Sequence, residues 1–145
     1  MDAGKTPAQA LVEGNNHNRD KSRSPMQWNG NTNAGFSADK PWIKVHENYK
    51  QVNVETNSQQ EKSMLNTYKA LLKLRNNEKT LQYGSYEKLI RQGDVILFTR
   101  TYQGDNITVM INFGKQKSVK LPKTAKILMG NKILQPNAFL IYRNK

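Results

Sequence analysis

Between Asn18 and Trp42 the chain reads NRDKSRSPMQWNGNTNAGFSADKPW, a run that concentrates the residues best suited to hold another molecule. Arg19 and Arg23 stand four apart around Asp20. A guanidinium is a planar fork of donors that grips a carboxylate bidentately and keeps further donors free. Asp20 is a ready partner for Arg23, so a loop-bracing ion pair and an outward-facing donor are both open to that residue. Both tryptophans of the protein, Trp28 and Trp42, fall in the run with Met26 and Phe36. Their spacing follows neither a helix nor a strand, and Pro25 and Pro41 stiffen the path. Aromatic side chains in such a loop either anchor it on a larger body or present a flat face to a ligand. Anchoring is the expected role of Met26, Trp28 and Phe36, and Gln27 fits either.

Other site chemistries find little support. The chain has no cysteine, hence no disulfide and no thiolate metal site. His17 and His46 are isolated, without metal-ligand spacing, so no metal or other cofactor is expected. A net charge of +12 raises the question of nucleic acid. The lysines are scattered, however, no basic run reaches five, and SVKLPKTAKIL reads as solvated strand faces, so no nucleic-acid partner is expected. No stretch reaches transmembrane length, and MDAGKTPAQA lacks the blocks of a signal peptide. Met1 reads as readily inside a longer chain as at its start.

The elements that position the run are unevenly distributed over the 145 residues. Most Ile, Leu and Val lie after residue 64, so the C-terminal half has the means for a modest core and the first sixty residues do not. Residues 1–57 read mainly as irregular loop, with Asn, Gly, Ser, Asp and Pro clusters and one strand-like piece at Lys50–Glu55. So long an irregular segment is expected to pack on another body. A helix is predicted over Ser58–Asn77, opened by a Ser58/Glu61 capping box and carrying an apolar stripe at Met64, Leu65, Tyr68, Leu71 and Leu72. After Glu78 the period becomes two. Strands are predicted at Leu81–Leu89, Val95–Tyr102, Asn106–Phe113, Ser118–Leu121, Ala125–Met129 and Ala138–Arg143, separated by turn signals. The fold class is α+β: an irregular segment and one helix, then an antiparallel β-sandwich over residues 78–145.

In this order of parts, RDKSRSPMQW closely resembles the R-D-x-x-R-[TS]-P-M-Q-W signature of α-glucosidases in glycoside hydrolase family 13, the α-amylase family. The resemblance continues through NAGFS, PWIKVHENY, VNVE, YKALLKLR, YGSY and VMINFG, from about Arg19 to Arg143. It implies a parent with a catalytic (β/α)8 barrel followed by an antiparallel β-sandwich, domain C. Residues 1–57 would be the loop after the eighth strand, 58–77 the last barrel helix, and 78–145 domain C. Such barrels build their active sites from these loops. The resemblance assigns Arg19 and Arg23 to substrate binding, Arg19 pairing with a barrel carboxylate that holds the terminal glucose. Asp20, Gln27, Trp28 and Phe36 would support the pocket loop. Many relatives carry Asp after the motif tryptophan, where this chain has Asn29.

A retaining glycosidase needs two carboxylates about 5–5.5 Å apart. The resemblance puts both on barrel strands that would precede Met1, and Glu13, Asp20, Asp39, Glu47 and Glu55 fit none of the catalytic motifs. The chain alone is therefore expected to be inactive, and to require an upstream barrel domain and a small saccharide substrate. Two other parents fit parts of the pattern: the glucosidase-like ectodomain of amino-acid transporter heavy subunits, and a carbohydrate-binding β-sandwich using Tyr83, Tyr86, Tyr102 and Tyr142.

Overall fold

The computed structural model describes residues 4–17 and 22–144, and the chain divides into two compact units between Tyr68 and Lys69. The first unit holds more helix than its composition suggests. Helix α1 spans Pro7–His17. Thr6 Oγ1 accepts from Gln9 N at 3.3 Å while Gln9 Oε1 accepts from Thr6 N at 2.9 Å, a reciprocal cap followed by proline at the first helical position. Two short 3-10 turns follow, Thr32–Gly35 and Glu47–Lys50, and then helix α2 at Val54–Gln59.

Two sequence expectations fail here for local reasons. Lys50–Glu55 is not a strand. Asn53 caps α2, its Oδ1 accepting from Thr56 N at 2.8 Å, and this cap outweighs a short alternation. Ser58 does not open the next helix. It sits in the last turn of α2, donating to Glu55 O at 2.7 Å, and helix α3 begins at Met64 instead. Its cap is Ser63, whose Oγ accepts from Asn66 N at 3.1 Å. The Asn66 amide then donates to the Ser58 and Gln60 carbonyls at 3.0 and 2.9 Å, covering acceptors that α2 leaves free at its end.

From Lys69 onward, α3 runs on to Asn77, and a one-turn helix α4 occupies Lys79–Tyr83, where the sequence pattern predicts the start of a strand. Seven strands follow: β1 Ser85–Gln92, β2 Val95–Tyr102, β3 Asp105–Asn112, β4 Lys117–Ser118, β5 Lys126–Gly130, β6 Ile133–Leu134 and β7 Phe139–Asn144. Five of them form one antiparallel sheet in the order β1-β2-β3-β7-β5, while β4 and β6 form a separate ribbon. The sheet is open rather than closed into a barrel, and both edge strands carry a register irregularity, near Tyr86 in β1 and near Met129 in β5. Such breaks blunt an edge against pairing with another chain.

Alternation along β3 and β7 feeds both faces of the sheet. On one face Ile107, Val109 and Ile141 meet Leu71, Leu74 and Leu81 of the helices. On the other, Leu140 and Tyr142 meet Leu134, with Val119 and Leu121 packed beside them. Asn112 is 1 % exposed at the end of β3. Its amide donates to Lys115 O at 2.9 Å and to Leu134 O and Gln135 O, each at 3.1 Å. It thereby ties the ribbon to the sheet. Asn112→Leu removes those donors and strands the buried Leu134 carbonyl, so a loss of about 2 kcal/mol is expected, read as a lower urea midpoint with an unchanged slope.

Candidate functional site

The motif loop is held by backbone more than by side chains. Val54 N and Glu55 N, at the start of α2, donate to Gln27 O and Trp28 O at 2.9 and 3.0 Å. The helix satisfies its free first-turn donors on the carbonyls of the motif itself. Gln27 adds a side-chain clamp: its amide donates to Asn48 Oδ1 at 3.1 Å and to the Val52 carbonyl. Asn53, 4 % exposed, completes the join by donating to Tyr49 O at 2.8 Å. Sequence reasoning missed Asn53. Its only signal was an Asn three residues before Thr56, the spacing of a helix cap.

The next segment turns back on itself in an unusual conformation. Asn33, Ala34 and Gly35 all have left-handed backbones, with φ of 52, 57 and 66°. This aims the Ala34 carbonyl at the motif, where it accepts from Trp28 N at 2.9 Å and Asn29 N at 3.1 Å. The Asn33 amide donates to Ser37 O and Asp39 O, both at 3.0 Å, and closes the turn. Asparagine and glycine tolerate the left-handed region; alanine does so under strain, and here it is fully buried. A Cβ on Gly35 would stand 2.6 Å from the Asn29 side-chain amide, which would have to turn aside. Asn29 keeps a task that an aspartate also performs, its Oδ1 accepting from Asn31 N at 3.0 Å. Ala34→Val, a β-branched residue in this backbone, is expected to open the turn and speed hydrogen exchange at Trp28 and Asn29 by about tenfold or more. Ala34→Gly should leave both amides protected.

Arg19 and Asp20 lie outside the described residues, as do the side chains of Glu13 and His17. Arg23 is exposed, Pro25 is buried and Gln27 is half-buried. Met26, Trp28 and Phe36 are each close to half exposed, and Trp42 is 82 % exposed, so the loop's large side chains remain available on the unit's surface. His46 is a turn cap, its Nδ1 accepting from Asn48 N at 3.3 Å. Asp39, Glu47 and Glu55 are exposed carboxylates. The Lys44 ammonium, 2.7 Å from Glu47, holds that carboxyl below its ordinary value by hydrogen bonding and charge. The resulting stabilisation is present above the usual carboxylate range and lost on acidification, and it is small because both side chains are solvated. Among the described residues no group of three or more His, Asp or Glu is placed to hold a metal ion. In the second unit, Tyr83 and Tyr86 are exposed, Tyr102 is half-buried and Tyr142 is in the core, so the four tyrosines do not share one open face.

The family profile "Alpha amylase, catalytic domain" matches residues 2–84, which include the whole motif loop and helices α1 to α4. The oligo-1,6-glucosidase of Parageobacillus thermoglucosidasius is 34% identical over 135 residues, 88% of this chain and 24% of that enzyme. Among solved structures, the trehalose-6-phosphate hydrolase of Bacillus licheniformis superposes with a TM-score of 0.77 at 32% identity, over 99% of this chain and 29% of that one. The isomaltulose synthase of Erwinia rhapontici NX5 gives 0.79 at 30% identity, over 100% of this chain and 29% of its own. The chain thus spans about a quarter of the length of the relatives it is similar to. With the profile covering more than half of its residues and the motif loop inside that region, the chain belongs to the α-amylase family of glycoside hydrolases.

Proposed function

We propose that the chain is the C-terminal part of a retaining α-glucosidase that releases terminal α-linked glucose from short saccharides such as maltose or sucrose. The observation that carries this reading is the braced loop Arg23–Phe36. It is fixed by α2 and by the left-handed turn, and it leaves Trp28 and Phe36 uncovered, as a pocket wall requires. In this reading residues 1–57 are the loop after the last barrel strand, 58–77 the closing helix and its approach, and 78–145 domain C. Arg19 and Arg23 donate to substrate hydroxyls and to a carboxylate of the barrel. Gln27, Asp20, Trp28 and Phe36 keep the wall in place. The nucleophile and the acid/base come from the preceding barrel, because bond cleavage with retention needs two carboxylates across the scissile bond.

A chromogenic α-glucoside tests this directly. The free chain is expected to give no turnover above a denatured control. A protein joining it to the preceding part of the Parageobacillus oligo-1,6-glucosidase is expected to hydrolyse the glucoside, and Arg23→Ala to raise its KM. Turnover by the free chain, or none by the joined protein when folded, overturns the reading.

A further inference from the structure

The charge of the chain is not shared between its two units. Fifteen of the 23 Lys and Arg follow Tyr68, against four Asp and Glu, so the second unit carries +11 of the formal +12. Residues 115–134 hold six lysines and no Asp, Glu, Arg or aromatic residue. Lys115, Lys117, Lys120, Lys123, Lys126 and Lys132 are all exposed, and among the described residues none of the six pairs with a carboxylate. Asp94 lies against Gly114, next to Lys115, so the free charge begins at Lys117. The ribbon β4–β6 gathers it. Lys117 pairs with Leu134, and Val119 N donates to Lys132 O at 2.8 Å, which sets Lys117, Lys120 and Lys132 on neighbouring segments of one ribbon. Like charges placed this way weaken so short a pairing, a cost that an anionic partner removes. Ile133, paired with Ser118, is 48 % exposed among them.

We propose that this ribbon docks on an anionic lipid surface, its lysines over the headgroups and Ile133 entering the layer beneath them. Lysine supplies compact point charges without the fork with which arginine reads a base edge. With no aromatic residue between 115 and 134, the ribbon offers no platform for stacked bases either. A sheet of spread negative charge above an apolar layer suits lysines set around an exposed isoleucine. Leu134 and Val119 pack on the sheet face opposite the one that takes Leu71, Leu74 and Leu81, so the ribbon lies across the sheet from helices α3 and α4. The proposal is independent of the glycosidase reading, whose motif loop belongs to residues 1–68.

Co-sedimentation of the whole chain with lipid vesicles is the test. The chain should bind phosphatidylcholine vesicles that contain phosphatidylglycerol and ignore pure phosphatidylcholine. Salt at about 1 M, which screens nearly all the attraction, should release it. Each lysine at such a surface is worth about fivefold, so Lys117→Gln, Lys120→Gln and Lys132→Gln together should weaken binding about a hundredfold. Changed singly, each should cost about fivefold, which keeps the reading available where the triple variant does not fold. The same three changed to Arg should keep the binding. Lys40→Gln, Lys50→Gln and Lys62→Gln remove equal charge from exposed positions of the first unit and should cost less than about threefold. Ile133→Ser should weaken binding several-fold at unchanged charge. Equal losses in the two glutamine triples make net charge the whole cause and overturn the proposal. So does undiminished binding by the ribbon variants. A DNA duplex bound more tightly than the vesicles at the same salt also overturns it, since nucleic acid would then be the occupant.

Discussion

Gly130→Ala is expected to destabilise the second unit by about 3 kcal/mol, more than any other single-methyl change in the sheet. Gly130 ends β5 with φ of +91°, outside even the left-handed well that alanine tolerates. A Cβ there would stand 2.2 Å from Phe139 O, 2.9 Å from Leu140 Cα and 3.0 Å from the Phe139 carbonyl carbon. All three are backbone atoms of β7, so no rotamer change relieves the contact. The only relief is to move β5 away from β7, the strand that supplies Leu140, Ile141 and Tyr142 to both cores. Gly93 is the internal control. Its φ is also positive, at +62°, but nothing lies within 4 Å of the added carbon. Gly93→Ala should cost about 1 kcal/mol from backbone strain alone. Urea unfolding of both variants separates strain from close approach; equal midpoints would show that β5 does not press on β7 at this point.

The strands that alternate clearly were legible. β2 is predicted and observed at Val95–Tyr102, and β3 and β7 lie within one residue of expectation, because each alternates between two buried faces. What escaped was short or polar. β6 is two residues, Ile133–Leu134, too few to show a period. α4 overlaps the strand predicted at Leu81–Leu89 because Leu81 and Tyr83 alternate; the buried Thr80 and the break at Gly84 decide the matter locally. Helix α1 carries almost no apolar stripe, but Thr6-Pro7-Ala8-Gln9 holds both a reciprocal cap and a proline at the first position. That signal outweighs hydrophobic periodicity when a helix lies on the surface.

The loop was legible as a motif and illegible as a shape. Its arginines and aromatics stand out by type, yet three consecutive left-handed residues cannot be read from a sequence whose middle member is alanine. Only tertiary closure, with the Ala34 carbonyl taking two motif amides, makes that backbone worth its strain. Nor does residue type show that the carbonyls of Gln27 and Trp28 serve as the cap of a helix twenty-seven residues on, which is how the loop and α2 become one piece.

Arg143→Ala is expected to loosen three elements of the second unit at once. Its Nε lies 2.8 Å from Asp105 Oδ1, an ionic contact rather than an aligned hydrogen bond, and its terminal nitrogen donates to Glu78. Thr80 Oγ1 donates to the other Asp105 oxygen at 2.5 Å. The group therefore fastens the start of α4 to β3 and β7 across the helix–sheet layer. Burial alone would lower the Arg143 pKa, but the Asp105 and Glu78 carboxylates outweigh it and hold the guanidinium above its ordinary value. A raised folded-state value gives stability that is complete below the unfolded pKa and lost only as pH rises through the folded one. For an arginine that lies beyond neutral and moderately alkaline conditions, so this contact should persist across them. Arg143→Ala leaves both carboxylates without their counter-ion. The expected loss is about 3 kcal/mol, at the low end for a broken buried pair because all three side chains keep some exposure. Arg143→Lys should fall between, since one ammonium cannot span both acceptors. The decisive comparison is Glu78→Gln with Asp105→Asn in the Arg143→Ala background. Removing the unpaired charges should restore part of the lost stability, and a double-mutant cycle with no coupling would show that Arg143 acts by packing alone.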